Sequence, residues 1–261
     1  MLLAIDVGNT NTVFALYHGD RRLESWRLAT VRDRTADEYA LALVQLMEMA
    51  GFDPKRIEHA VASSVVPQAQ MPLRWMCRDR LRCPIGFVGQ EIEVPIRVRL
   101  PNPREVGADR LVNAYAAHRH HGGDLIVIDF GTATTFDVVD AEGAYHGGII
   151  APGVNLSLEA LHHAAAKLPR IGIEKTQRVI GDSTVSAMQS GVFWGYVALI
   201  EGLVDRIRAE FGKPMGTIAT GGLAPLFGGA THAIDTIDRD LTMIGLVDLF
   251  RADVARMEAT G

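Results

Sequence analysis

The fold is decided by the stretch Leu2-Leu3-Ala4-Ile5-Asp6-Val7-Gly8-Asn9-Thr10, whose pattern returns as Leu125-Ile126-Val127-Ile128-Asp129-Phe130-Gly131-Thr132. Each copy is a short apolar run that ends in Asp, followed by a glycine turn and two further strand-like segments. From Asp6 to Asp129 the pattern shifts by 123 residues, close to half of the 261-residue chain. A repeat of this length is too long for a solenoid, so it predicts the internal duplication of a domain.

Along the rest of both halves, segments with the apolar spacing of strands alternate with segments that have the apolar spacing of helices. It predicts strands over residues 2–6, 13–17, 23–28, 57–66, 85–88, 124–129, 136–139, 144–150 and 217–219. Helices are predicted over residues 35–50, 71–81, 104–120, 184–211 (as one or two helices) and 241–256. No low-complexity linker separates the halves. We therefore expect an α/β protein with two similar domains, residues 1–120 and 121–261, and a nucleotide cleft between them.

Composition narrows the class of protein further. The formal net charge of −5 disfavours nucleic acid and anionic membranes as partners, because both require a basic surface. No uninterrupted apolar run reaches the roughly 18 residues of a membrane span, and the first residues do not resemble a signal peptide. The two cysteines, Cys77 and Cys83, are too few for a disulfide framework or a zinc site. These features predict a cytoplasmic protein.

The two Asp-x-Gly turns are the strongest chemical signal. A turn of glycine and small polar residues brings backbone N–H groups close to an anion, and an Asp at the strand end can hold hydrated Mg²⁺ beside it. A single copy is an ordinary hairpin signal. Two matched copies, with a third glycine turn at Gly221-Gly222, favour a nucleotide phosphate site. The sequence contains neither the Gly-x4-Gly-Lys-Ser/Thr loop nor Gly-x-Gly-x-x-Gly.

A second constellation is Gly107-Ala108-Asp109-Arg110, which follows Pro101-Asn102-Pro103. Its carboxylate could accept a hydroxyl proton and its guanidinium could hold an anionic substrate, as a kinase acting on a hydroxy acid requires. An Asp beside an Arg is also common as a surface ion pair or as a helix-start carboxylate. The residues alone leave both interpretations open.

Taken together, these motifs resemble those of type III pantothenate kinases, in order over nearly the whole chain. Further matching segments are Gly147-Gly148-Ile149-Ile150-Ala151-Pro152-Gly153, Ile180-Gly181-Asp182-Ser183-Thr184, Ser190-Gly191 and Thr220-Gly221-Gly222. The resemblance implies the duplicated actin-like (ribonuclease H-like) fold of the acetate and sugar kinase/Hsp70/actin superfamily. It also implies a homodimer that uses ATP, Mg²⁺ and a monovalent cation, K⁺ or NH₄⁺, to phosphorylate pantothenate in the first step of coenzyme A synthesis.

The resemblance also implies roles for individual residues. The ATP site would consist of Asp6, Val7, Gly8, Asn9, Thr10, Asn11, Thr12, Val13 and Thr132, with Asp6 also holding Mg²⁺ through water. Asp109 would be the catalytic proton acceptor, and pantothenate would contact Gly107, Ala108, Asp109, Arg110 and Thr184. Asp129 would bind the monovalent cation. The chain departs from the family at Leu100, where the family often has a tyrosine in the pantothenate pocket.

Two other functions remain open at the level of sequence. One is a kinase of another small hydroxylated substrate, such as a sugar or an amino sugar. The other is a non-catalytic ATP-binding accessory regulator, which the intact Asp109 and the absence of a DNA-reading motif disfavour. The implied dimer could use the apolar stretch 187–203 with Phe193, Trp194 and Tyr196, although internal packing of that helix explains the stretch equally well.

Overall fold

A computed structural model describes residues 1–164 and 168–260 of the chain. The strands are β1 (Leu2–Val7), β2 (Asn11–His18), β3 (Arg21–Ala29), β4 (His59–Ser64), β5 (Ile85–Phe87), β6 (Leu125–Phe130), β7 (Ala133–Val139), β8 (Tyr145–Pro152), β9 (Gly216–Gly221) and β10 (Thr236–Ile237). The α-helices are α1 (Ala36–Met49), α2 (Pro67–Trp75), α3 (Ala108–His121), α4 (Val154–Ala164), α5 (Thr184–Phe211), α6 (Ala224–Gly228) and α7 (Leu241–Thr260).

The chain folds into two compact units. The first unit comprises Met1–Ile96, Asn102–Ala116 and the C-terminal segment from Leu241 onward, and the second comprises Arg97–Pro101 and Ala117–Asp240. The expected division at residue 120 lies close to the transition at Ala116. The observed second unit differs from residues 121–261 because it also includes Arg97–Pro101 and residues 117–120, while the C-terminal helix belongs to the first unit.

The first unit is built on a five-stranded sheet in the order β3-β2-β1-β4-β5. β1, β2 and β3 form an antiparallel meander, whereas β4 and β5 continue the sheet parallel to β1. Leu3, Ile5 and Val7 of β1 face one apolar cluster, and Ala4 faces another. Because both faces of β1 are covered, its sequence is almost continuously apolar instead of alternating.

Helices cover both faces of this sheet. α1 and α2 contribute to the larger cluster, and α1 begins with a capping box between Thr35 and Glu38. On the other face, Met243, Leu246 and Val247 of α7 pack in the cluster that contains Ala4 of β1 and Val112 of α3. This burial is the physical reason why the last helix joins the first unit.

The second unit repeats the same sheet. Read from its meander edge, the order β8-β7-β6-β9-β10 matches β3-β2-β1-β4-β5 strand for strand. β6 pairs antiparallel with β7 and parallel with β9, as β1 does with β2 and β4. The duplication predicted from the two Asp-containing strands is therefore confirmed.

The core of the second unit is formed by one face of its sheet, α5 and α6. The ring of Phe227 on α6 stacks on Phe130 of β6 and on Phe193 of α5, with ring centroids 5.2 Å and 5.7 Å apart. By length and composition α5 could cross a membrane, but a core helix of a soluble protein passes the same test. Buried residues recur along α5, including Tyr196, Ile200 and Val204, which favours the core helix.

Most predicted elements are present, with differences at their ends. The helix predicted over 71–81 begins earlier, at Pro67, and continues after Trp75 as a π-helical turn over Met76–Leu81. The helix predicted from residue 104 begins only at Ala108, because Pro103–Glu105 forms a separate 3₁₀ turn and Gly107 follows it. The helices α4 and α6 and the two-residue strand β10 are not predicted by the sequence pattern.

Candidate active site

The first Asp-x-Gly turn joins β1 to β2 through Gly8, Asn9 and Thr10. The N–H of Gly8 donates to the carbonyl of Asn11 at 3.0 Å. Thr30, directly after β3, supports the turn, because its hydroxyl donates to the Gly8 carbonyl at 2.8 Å and its N–H donates to the Thr10 carbonyl at 2.9 Å. Asn9 and Thr10 remain exposed at the tip. A fixed turn with an exposed tip suits backbone recognition of an anion.

Asp6 lies one residue before the end of β1 and is paired in register with Ser63 of β4. Residues in register on neighbouring strands project from the same face of a sheet, so these two side chains are adjacent. Ser63 is fully buried, and its hydroxyl has no hydrogen-bond partner within the described part of the chain. A carboxylate beside a hydroxyl provides the oxygen donors that a hydrated Mg²⁺ prefers. The residues at this position therefore fit the implied metal.

The second Asp-x-Gly turn, between β6 and β7, is shorter and contains only Gly131 and Thr132. The N–H of Gly131 donates to the carbonyl of Ala133 at 3.0 Å. Gly153, which follows β8, packs so closely against this turn that a Cβ there would lie 2.1 Å from the Thr132 carbonyl oxygen. No side chain fits in that gap.

Asp129, the residue before the end of β6, has its carboxylate close to the backbone of Gly221 on the neighbouring strand β9. Gly221, the predicted third glycine turn, has φ +90°, and a Cβ on it would lie 2.7 Å from Asp129 Oδ1. Thr134, opposite Phe130 in register, is fully buried, and its hydroxyl has no hydrogen-bond partner among residues 1–164 and 168–260. The second turn thus presents the Asp129 carboxylate beside tightly packed backbone, whereas Thr134 projects from the opposite face of the sheet.

Asp109 lies in the first turn of α3, within the first unit. Its Oδ1 accepts a hydrogen bond from the N–H of Arg110 at 2.8 Å. A Cβ on Gly107 would lie 2.6 Å from the same oxygen, so the absence of a side chain at residue 107 allows the carboxylate its position. The four residues of the Gly107–Arg110 motif therefore form one local arrangement centred on Asp109.

The pKa of the Asp109 carboxyl also differs from its ordinary value. Burial raises the pKa of this carboxyl above its ordinary value, although the N–H and the positive charge of Arg110 act in the opposite direction. A carboxylate whose pKa is raised accepts a proton more readily than an exposed one. Raised carboxyl pKa values are a common feature of catalytic bases.

Two predicted positions lie elsewhere in the second unit. Thr184 is the first residue of α5 and is exposed, directly after the N-cap Ser183. Leu100 lies where residues 97–99 run alongside β8, and its Cδ2 would be 3.2 Å from a Cβ on Gly147. Leu100 thus packs on β8 through a contact that a larger side chain would have to rearrange.

Among the described residues, no group of three or more His, Cys, Asp or Glu side chains could hold a metal ion. Mg²⁺ commonly binds enzymes through one or two carboxylates, with water and substrate phosphates completing its shell. A single Asp at each turn is consistent with that mode. Thr30 and Ser63 were not identified from the sequence, and Gly153 was recognised only as part of a matching segment, because each of the three acts through contacts distant in sequence.

Two matched sheets, each with an Asp and a glycine turn at the same strand junction, define an actin-like α/β protein of the class that includes ATP-dependent kinases. An inorganic polyphosphate/ATP-glucomannokinase from Arthrobacter sp. strain KM has this fold (TM-score 0.51, 16% identity, 96% of this chain and 98% of that chain). So does a Campylobacter jejuni protein described as a candidate Baf family transcriptional activator (TM-score 0.63, 18% identity, 97% and 99% of the two chains). At these identities the likeness establishes the fold alone.

Sequence similarity identifies the family. Residues 2–206 match the family model described as type III pantothenate kinase. The chain is 57% identical over 252 residues to the type III pantothenate kinase of Paramagnetospirillum magneticum, covering 96% of this chain and 97% of that protein. It is 55% identical over 256 residues to that of Phenylobacterium zucineum, covering 98% and 100% of the two chains. The chain belongs to the type III pantothenate kinase family.

Proposed function

We propose that this protein transfers the γ-phosphoryl group of ATP to the 4′-hydroxyl of pantothenate, the first step of coenzyme A synthesis. Membership of the family supports the substrates. The structural observation that carries the proposal is the partly buried Asp109, whose pKa is raised by desolvation and whose carboxylate accepts a hydrogen bond from the N–H of Arg110. An oriented base of this kind is what phosphorylation of an alcohol requires.

In this proposal Asp109 accepts the proton of the attacking hydroxyl at a carboxylate oxygen as the phosphoryl group transfers. Gly107, Ala108 and Arg110 hold pantothenate, with the Arg110 guanidinium facing its carboxylate. Thr184, exposed at the start of α5, provides a further substrate contact. Phosphoryl transfer depends mainly on positioning and on charge stabilisation, so the base is one contribution among several.

The nucleotide is bound by the first turn in this proposal. The backbone of residues 6–13 holds the phosphates, and Thr132 of the second turn provides a further ATP contact. Asp6 and Ser63 hold Mg²⁺ through water, and the metal supplies charge neutralisation at the phosphates. The support is the Thr30-braced turn and the unpartnered Ser63 hydroxyl beside Asp6.

Asp129 is the proposed ligand of a monovalent cation, K⁺ or NH₄⁺. A carboxylate near phosphates would otherwise add like-charge repulsion, which a bound cation offsets. The short turn and the backbone of Gly221 leave little space around Asp129, and this favours a small ion over a larger group.

We further propose a soluble, cytoplasmic homodimer. Phe193 and Tyr196, considered above as interface residues, are buried in the core of the second unit. One set of apolar side chains that could serve self-association is exposed on β8, α4 and the start of α5: Ile150, Leu156, Leu161 and Val185. Sedimentation at micromolar concentration should show a dimer, and a monomer of 28.4 kDa alone would contradict this assignment.

The activity can be tested by ADP release with pantothenate and ATP, in K⁺ or NH₄⁺ and in Na⁺ alone. We expect turnover that depends on pantothenate and on K⁺ or NH₄⁺. Arg110→Ala should raise the KM for pantothenate with a smaller effect on kcat. A panel of sugars and amino sugars tests the rival kinase function. ADP release with a sugar but not with pantothenate would overturn the proposed substrate.

A further inference from the structure

The two cysteines of this chain lie together in the first unit, outside the residues assigned to the active site. The N–H of Cys83 donates to the carbonyl of Cys77 at 3.0 Å, which holds the two residues side by side. Each thiol is the largest influence on the pKa of the other. Both are free thiols, and no other cysteine exists in the sequence.

The backbone that brings the cysteines together is unusual. Cys77 lies in the π-helical turn Met76–Leu81, and the turn ends at Arg82 with φ 60°. Arg82 is the sole non-glycine residue with positive φ in the described ranges. π-Turns and left-handed non-glycine residues both cost conformational free energy and concentrate at functional sites. This turn brings the backbones of Cys77 and Cys83 within hydrogen-bonding distance.

Access to the two thiols differs. Cys83 lines a surface cavity of about 510 Å³ together with Arg74, Arg78 and Trp75, whereas Cys77 has no exposed surface. Cys83 is itself buried, with 4% of its surface exposed, but it borders the cavity, so a small solute there meets Cys83 before Cys77.

The pKa values of the two thiols also differ, and they favour reaction at Cys83, the thiol that borders the cavity. The neighbouring Cys77 thiol lowers the pKa of Cys83, while the Cys83 side chain and burial raise the pKa of Cys77. Cys83 is thus the first of the two to form a thiolate, the reactive species. Once Cys83 is oxidised and uncharged, the thiolate that raised the pKa of Cys77 no longer exists.

We propose that Cys77 and Cys83 form a reversible, hydroperoxide-responsive dithiol. The Cys83 thiolate attacks one peroxide oxygen, the O–O bond breaks, and the departing hydroxide takes up a proton, giving a sulfenic acid and water. The Cys77 sulfur then attacks the Cys83 sulfur, the S–O bond breaks, and hydroxide leaves with the Cys77 proton as a second water. Two thiols lose two electrons and two protons, and hydrogen peroxide is reduced to two waters.

The test is peptide mapping of the intact protein after hydrogen peroxide treatment, with alkylation and no reductant. Trypsin cleaves after Arg78, Arg80 and Arg82, so the cysteines fall on separate peptides unless a disulfide joins them. We expect the joined peptides to appear as both free thiols disappear together, and dithiothreitol to reverse both changes. Persistence of both thiols while a free cysteine peptide is oxidised would overturn the proposal, as would a disulfide between two chains.

Two matched variants separate the roles of the thiols. In Cys77→Ser the sulfenic acid on Cys83 should persist and react with a 1,3-dione probe. In Cys83→Ser the oxidation of Cys77 should be at least about tenfold slower than in the wild type, because Cys77 is buried and protonated. Oxidation of Cys77 at an unchanged rate in Cys83→Ser would overturn the order of reaction. If a variant does not fold, judged by thermal melting, the wild-type peptide map still decides the proposal.

Discussion

The two Asp-x-Gly turns occupy equivalent positions in duplicated sheets, yet they are built differently. The first turn has three residues, is braced by the Thr30 hydroxyl and keeps an exposed tip. The second has two residues and is closed by the backbones of Gly153 and Gly221. Duplication therefore preserved the strand that ends in Asp, while the surroundings of the two carboxylates diverged. A turn with an exposed tip suits the binding of phosphates, and a closed one suits a single small ion.

The variant with the largest expected effect is Asp109→Asn. It tests whether catalysis depends on the unit that contains the first turn. Asp109→Asn keeps the shape of the side chain and removes the proton acceptor, so kcat should fall by about 10² to 10⁴, or roughly 3 to 5 kcal/mol of barrier. The affinity for ATP should change little. Steady-state kinetics with pantothenate measure both, and retention of more than about a tenth of the wild-type kcat would make Asp109 a structural partner of Arg110.

The same variant has a defined effect on stability. Burial raises the folded-state pKa of Asp109 above the unfolded value of about 3.9. The folded state therefore binds the extra proton between these two pKa values, and the wild type loses stability as the pH rises through that window. Asp109→Asn should be the more stable protein above the window and equally stable below it. Urea denaturation at several pH values measures the difference, and a wild type that is more stable than Asp109→Asn at neutral pH contradicts it.

The second comparison sets Gly153→Ala against Gly8→Ala. The new Cβ would lie 2.1 Å from a backbone oxygen of the second turn in the first variant, but 3.3 Å from the Asn11 carbonyl in the other. Gly153→Ala should lower the free energy of unfolding by about 3 kcal/mol, and Gly8→Ala by less than about 1 kcal/mol. Chemical denaturation of both variants gives these values. Equal losses would show that the second turn is no more enclosed than the first.

The third comparison exchanges each carboxylate for an amide. Asp6→Asn should reduce kcat about 10- to 100-fold and raise the Mg²⁺ concentration needed for activity, because an outer ligand of the metal is lost. Asp129→Asn should instead remove the difference between K⁺ and Na⁺ buffers. Titrations of both ions with both variants provide the measurement. The reverse pattern would exchange the roles assigned to the two turns.

The smallest expected effect concerns the Thr30 hydroxyl, whose hydrogen bond to the Gly8 carbonyl supports the first turn. Thr30→Val removes a hydroxyl that donates to the Gly8 carbonyl at 2.8 Å and lies 2.9 Å from the Thr12 hydroxyl. The loss should be about 1 to 2 kcal/mol of unfolding free energy, with weaker ATP binding. Thr30→Ser keeps the hydroxyl and is the matched control. If the two variants bind ATP equally well, the brace has no role in holding the phosphate turn.

Much of this architecture could be predicted because its signals are local. The apolar run before Asp6, its copy before Asp129 and the glycine turns predicted the duplication and the order of strands. The predicted positions of helix ends were less accurate where the backbone geometry depends on packing, as at the π-turn after Trp75. The short helix α6 was missed because five residues provide too little periodicity to detect.

The sequence by itself determined the duplicated fold, the family and the candidate catalytic motif, because these follow from periodicity and from residues adjacent in the chain. Tertiary structure decided which unit receives the last helix, since that depends on the apolar face formed by Ala4 and Val61. It also decided that Ser63 lies beside Asp6, that Gly153 closes the second turn and that Cys77 meets Cys83. These contacts arise only when strands and turns are brought together by folding, so no local pattern records them.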